Sequence, residues 1–147
     1  DTLDLRTGNT TLAGDLANGD AGNDTVIIDQ SALSGTSINL DGGIGTDTLQ
    51  VFGSASAALN LGALTATNFE KLDVATDSSG VNVVISSASI MNLVNNTAGI
   101  DTLTLRLGAN DSYSIQAESG ISFTQGQNIK FFNSSNVQVA QLNFEYA

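Results

Sequence analysis

Gly42-Gly-Ile-Gly-Thr-Asp-Thr-Leu-Gln50 reads as a glycine turn that runs through an aspartate straight into a strand. Gly19-Asp-Ala-Gly-Asn-Asp-Thr-Val-Ile27 repeats it 23 residues earlier, with Asp20 in place of the second glycine. Outward from this pair, the acid-then-strand pattern recurs at Asp1-Thr-Leu-Asp-Leu5, Asp24-Thr-Val-Ile-Ile28, Asp47-Thr-Leu-Gln-Val51 and Glu70-Lys-Leu-Asp-Val74, each step being 23 residues. Leu3, Val26, Leu49 and Leu72 coincide, as do Leu5, Ile28, Val51 and Val74. Period-2 alternation places these eight on one buried strand face. Copies this short cannot bury that face alone, so they must stack into coils with a continuous core.

A second apolar strand is expected about half a period later in each coil: Leu12 and Leu16, then Ile38 and Leu40, then Leu59 and Leu61, then Val81, Val83 and Ile85. Two strands per coil predict an all-β, two-layer parallel β-roll or β-helix with coils of about 23 residues. Residues 1–147 form one domain in this reading, with regular coils over 1–86 and a less regular coil and cap over 87–147. Ile90, Leu93 and Val94, after Ser87 and Ser89 as caps, predict one short helix near 87–95. A fifth strand, Asp101–Leu107, follows, with Tyr113–Ile115 as its second strand. Ile129–Phe132 and Val137–Val139 flank Asn133-Ser-Ser-Asn136, which predicts a closing antiparallel hairpin. Phe123, Phe131, Phe132, Phe144 and Tyr146 gather there, either to close the open end of the roll or to form a ligand or partner surface.

The acid turns carry the chemistry. Calcium takes six to eight oxygen ligands at roughly 2.3–2.6 Å. Glycines let the backbone aim several carbonyls at one point, and the aspartate adds negative charge at the strand entrance. One such loop is half a cage, and the 23-residue period places a second loop in the adjacent coil. The predicted ligands are the carboxylates of Asp24 and Asp47 with the carbonyls of Gly19, Ala21, Gly43 and Gly45. Glu70 holds the equivalent place one coil on and is the candidate for a second site, although its turn, Thr65–Phe69, has lost the glycines.

Charge and composition narrow the function. Fifteen carboxylates against four cations (Arg6, Lys71, Arg106 and Lys130) give a net charge of −11, which disfavours nucleic acid and anionic membranes. No cysteine is present, so disulfides, thiolate metal sites and thiol nucleophiles are excluded. No histidine is present either, which removes the usual nucleophile–base pairs. Asp15, Asp29, Asp73 and Asp77 read as solvated surface carboxylates in preference to an acid/base pair. No apolar run approaches a membrane span and no secretory signal is visible; the chain opens directly in strand-like sequence, as a piece of something longer would.

The Gly42–Gln50 stretch matches the nonapeptide G-G-x-G-x-D-x-U-x throughout, and the chain resembles the RTX proteins on that basis. Leu40–Leu49, Thr67–Val74 and Asp101–Leu105 are similar to a region near the C-terminus of very large RTX adhesins. The resemblance implies a bound calcium cofactor, one to three ions, export by type I secretion, an extracellular or cell-surface location, and an adhesive or structural module that is not an enzyme. Its partners would be calcium and other surface or matrix components, with the isolated domain a monomer. An S-layer segment shares these features, and a carbohydrate-binding accessory module of a polysaccharide-modifying enzyme is a further reading. The resemblance also implies a chain kept expanded by its charge at low calcium and folded by extracellular calcium.

Overall fold

The computed structural model describes residues 1–6, 16–30, 38–53, 58–76, 80–96 and 98–147. Among them the chain forms β1 (Thr2–Asp4), β2 (Leu16–Asn18), β3 (Thr25–Asp29), β4 (Asn39–Asp41), β5 (Thr48–Phe52), β6 (Leu59–Asn60), β7 (Ala66–Thr67), β8 (Lys71–Asp73) and β9 (Asn82–Ile85). Helix α1 (Ser87–Val94) follows, then β10 (Asp101–Leu107), β11 (Ser112–Ile115), β12 (Ser122–Thr124), β13 (Ile129–Phe132) and β14 (Gln138–Tyr146). Among the described residues the fold is mostly β, with parallel sheets and one short α-helix set out in full, Ser87–Val94.

The predicted strands, with an unpredicted β12 and a β14 that runs on to Tyr146, form the main sheet, ordered β1-β3-β5-β8-β10-β14-β13-β12. Pairing is parallel from β1 through to β14 and antiparallel at β13 and β12. Leu3, Val26, Leu49, Leu72, Leu105 and Phe144 stand in one register column. The four central members of that column are buried, as are Ile28, Val51 and Val74. Each apolar side chain therefore sits on its counterpart in the next coil, at the strand spacing of about 4.8 Å.

The second strands divide between two further sheets, β11-β9-β6 and β2-β4-β7. Leu40 belongs to one, while Leu59, Val83 and Ile85 belong to the other; Leu61 lies in a single 3-10 turn, Leu61–Ala63. The coil that opens with β5 thus holds three strands, β5, β6 and β7, before β8 begins the next, not the two expected. The drift in the second-strand spacing has this cause: the apolar pairs lie on different faces. Leu12, Asp15 and Asp77 lie outside the described residues.

In the next coil α1 takes the place of the third strand, and the Phe69 amide donates to the Leu93 carbonyl at 2.9 Å. Its cap is Ser86, not Ser87 or Ser89. Ser86 Oγ accepts from the Ser89 amide at 3.1 Å and Ser89 Oγ accepts from the Ser86 amide at 2.9 Å, a reciprocal capping box. Glu118 adds a carboxylate at the same helix end, accepting from the Ser87 amide at 2.7 Å. Asn95, in the left-handed region, ends the helix.

Sequence aligns the fifth strand on Asp101, but the register sets Leu105 opposite Leu72 and Thr104 opposite Lys71. Asp101 instead pairs with Ala140 and accepts from the Asn96 amide at 2.8 Å. The closing hairpin is present: β13 and β14 flank Asn133–Asn136, and Ile129, Phe131 and Leu142 are buried beneath it. Phe123 packs on Phe131 with ring centroids 6.0 Å apart. Phe131 and Phe144 thus close the end of the core, while Tyr146 is 73% exposed. Among the described residues no helix is long and apolar enough to cross a membrane.

Candidate metal centre

The two glycine–aspartate corners, 19–24 and 42–47, lie directly on one another. Ala21 and Ile44 form a parallel bridge, in which the Ile44 amide donates to the Asp20 carbonyl at 2.7 Å and the Gly22 amide to the Ile44 carbonyl at 2.8 Å. That bridge engages the carbonyls of Asp20 and Ile44 and leaves those of Gly19, Ala21, Gly43 and Gly45 outside it. A Cβ on Gly43 would lie 2.0 Å from the Asp20 carbonyl oxygen, and one on Gly45 would lie 1.7 Å from that of Gly22. The glycines are therefore needed first for the closeness of the stack. Gly43 is also held at φ +93°, where an L side chain is strained.

Asp24 and Asp47 leave the corners pointing inward and are 4% and 0% exposed. They form a carboxylate ladder. The Asp24 amide donates to Asp47 Oδ1 at 2.7 Å, and the Asp47 amide donates to Glu70 Oε2 at 2.8 Å. Asp24 Oδ1 in turn accepts from the Asp1 ammonium. The structure thus brings Gly19, Ala21, Asp24, Gly43, Gly45 and Asp47 together, with Glu70 on the next rung.

Glu70 does not complete a second corner. Six residue steps separate Asp41 from Asp47, whereas the registered pair Thr67 and Glu70 are three steps apart. The turn is three residues shorter, the glycine segment has gone, and fully buried Phe69 fills the space. Glu70 remains half-buried as the acceptor for the Asp47 amide.

Two carboxylate oxygens stay unsatisfied: Asp24 Oδ2 and Asp47 Oδ2 are buried with no hydrogen-bond partner. Orphaned buried acceptors are uncommon and cost roughly 1–3 kcal/mol, more when charged. Burial pushes the Asp47 carboxyl above the usual carboxylate range; the Asp24 amide opposes the rise, repulsion from the Asp24 carboxylate adds to it, the N-terminal ammonium opposes it, and Asp41 adds again. A divalent cation at these oxygens would answer both the missing partners and the repulsion. Among the described residues no three His, Cys, Asp or Glu side chains converge as a metal-holding group. The donors that the two corners would offer are two carboxylates and the backbone carbonyls expected from the sequence, a chemistry that would suit a hard cation and not a transition metal.

Sequence reasoning missed two supporting residues. Asn23 Oδ1 accepts from the Thr46 amide at 2.9 Å. Asp41 Oδ1 accepts from the Gly43 amide at 3.0 Å and from Asn68 Nδ2 at 2.7 Å. The 23-residue interval from Asn23 to Thr46 and the pairing of Asn18 with Asp41 carry the signal for both. Asp73 is not the solvated surface carboxylate expected: it is buried, Arg106 Nη1 contacts both its oxygens at 3.2 and 3.0 Å, and Gln50 Nε2 donates to it at 3.3 Å. Asp29 lies half-buried at the end of β3.

Asp20 sits at φ 64°, where the intact pattern has glycine. Asp20→Gly is expected to stabilise the chain by about 1 kcal/mol through relief of the left-handed backbone. A urea melt checks this, and an unchanged or lower midpoint would contradict it. No protein-family model, curated protein or solved structure matches the chain.

Proposed function

We propose that this chain is a calcium-dependent structural or adhesive module of a secreted bacterial surface protein of the RTX type, and that it performs no catalysis. The observation that carries the reading is the pair of buried, partnerless oxygens on Asp24 and Asp47, set in stacked glycine corners. Asp24 and Asp47 would hold the ion, with carbonyls of Gly19, Ala21, Gly43 and Gly45 completing the set. The ion would supply positive charge where a chain of net charge −11 packs its carboxylates most closely.

In this reading the coils are a β-solenoid whose first corners are stapled by metal. Folding and binding are then coupled: a ligand taken only by the folded state stabilises it, and without it the acidic chain stays expanded. That behaviour fits export in an unfolded form and assembly outside the cell. The partners are calcium and components of the surface or matrix, with the domain itself monomeric and neither nucleic acid nor membrane bound.

Circular dichroism during calcium titration, begun in EGTA, tests this. The expected result is a gain of β signal between micromolar and millimolar calcium. A chain equally β-rich and equally stable in chelator would refute the reading.

A further inference from the structure

Two dipeptides at the stacked corners are chemically fragile. Asn18-Gly19 and Asp41-Gly42 occupy the same place in successive coils, Asn18 being registered with Asp41. Glycine offers no side chain to hinder attack of its amide nitrogen on the preceding side-chain carbonyl carbon. In an unfolded chain that attack closes a five-membered imide. At Asn18 the Gly19 nitrogen loses its proton and bonds to Cγ, and ammonia leaves. Water then opens the ring to aspartate or to isoaspartate. At Asp41 water leaves instead, and the same imide reopens. The neutral amide of Asn18 is the better electrophile at neutral pH, so Asn18 reacts first.

The fold withdraws both nucleophiles. The Gly19 amide donates to the Asp41 carbonyl at 2.9 Å, and the Gly42 amide donates to the Thr67 carbonyl at 3.0 Å. The electrophiles are held as well. Asn18 Oδ1 accepts from the Asp20 amide at 3.1 Å while Asn18 Nδ2 donates to Asp20 Oδ1 at 2.8 Å. Asp41 Oδ1 is taken by the Gly43 amide and Asn68. The bonds that protect Gly19 and Gly42 are thus the coil-to-coil bonds themselves.

We propose that Asn18 is a spontaneous deamidation and isomerisation site whose reaction is gated by the stacking of the coils, with Asp41 a slower second site. The chain is safe while stacked and ages while open. Isoaspartate lengthens the main chain by one methylene at a point where the next residue already leaves no spare room: a Cβ on Gly19 would meet the Gly42 oxygen at 2.2 Å. The isoaspartate form therefore cannot restack its corner, and the loss of ammonia makes the change at Asn18 irreversible. The gating follows from the hydrogen bonds alone; its control by calcium rests on the function proposed above.

The test incubates the full chain at neutral pH in calcium, in EGTA, and in guanidinium chloride above its unfolding midpoint. Peptide mapping follows the one-dalton gain at Asn18, and isoaspartate methylation reports both sites. The Asn18 rate in guanidinium is expected to exceed the rate in calcium by at least tenfold, the least that a closed hydrogen-bonded state should impose. Equal rates in those two arms would overturn the proposal. Asn18→Gln should abolish the fast event, and persistence of that event would equally overturn it. Circular dichroism on the EGTA arm separates the two readings. A chain that stays folded in EGTA and ages slowly there supports the gating and removes calcium from it.

Discussion

Asp47→Asn is expected to stabilise the chain in chelator and to destabilise it in calcium. Burial raises the Asp47 carboxyl above its ordinary range, so the folded chain holds that proton more tightly than the unfolded chain. The stability this contributes is present below the ordinary carboxylate range and is lost as pH rises through the raised value. At neutral pH the ionised group therefore opposes the metal-free fold. Asparagine keeps an oxygen for the Asp24 amide and removes the charge, for an expected gain of about 1 kcal/mol in EGTA. In calcium the order reverses. The native chain gains about 2.7 kcal/mol at a hundredfold excess over its dissociation constant, and the variant forfeits most of that. Paired folding curves decide the matter, urea in calcium and a stabilising osmolyte in EGTA where the metal-free chain starts expanded: the same sign of effect in both buffers would remove the metal from Asp47.

Gly45→Ala is expected to be the most damaging alanine substitution among the described glycines. Its Cβ would stand 1.7 Å from the Gly22 carbonyl oxygen, a backbone atom that can move only if the coils part. The expected loss is about 3 kcal/mol or more. Gly99 supplies the control, since at φ +101° it meets nothing within 4 Å, and Gly99→Ala carries only backbone strain of about 1–2 kcal/mol. Comparable midpoints in denaturant melts of the two variants would mean that the corners are not stacked as described.

Much of the main sheet is legible in the chain because one physical requirement repeats. Every 23 residues an aspartate or glutamate precedes alternating apolar residues, and in-register stacking of Val26, Leu49 and Leu72 follows. The helix and the closing hairpin are readable for the same kind of reason, from local capping and turn chemistry. The three strands of the β5 coil are not legible, because β6 and β7 are two residues each and too short to show a period. The register of β10 is hidden by the helical insertion, which sets the next rung by packing and not by count. At the candidate centre the glycines and aspartates announce themselves. Their close approach does not, nor do the contacts of Asn23 with Thr46 and of Asp41 with Asn68, because these arise between residues distant in sequence.

The shortened corner at Asn68–Phe69 gives the molecule a polarity. On its N-terminal side neighbouring turns meet through bare backbone and like charges, an arrangement that a lost cation would leave repelling itself. On its C-terminal side a phenyl ring, a capped helix and a sealed hairpin supply an apolar interior. In a structure whose parts touch only their neighbours, such a boundary acts as a firebreak. In the calcium-loaded chain, fraying that begins among the acidic turns is then expected to slow where the oil begins.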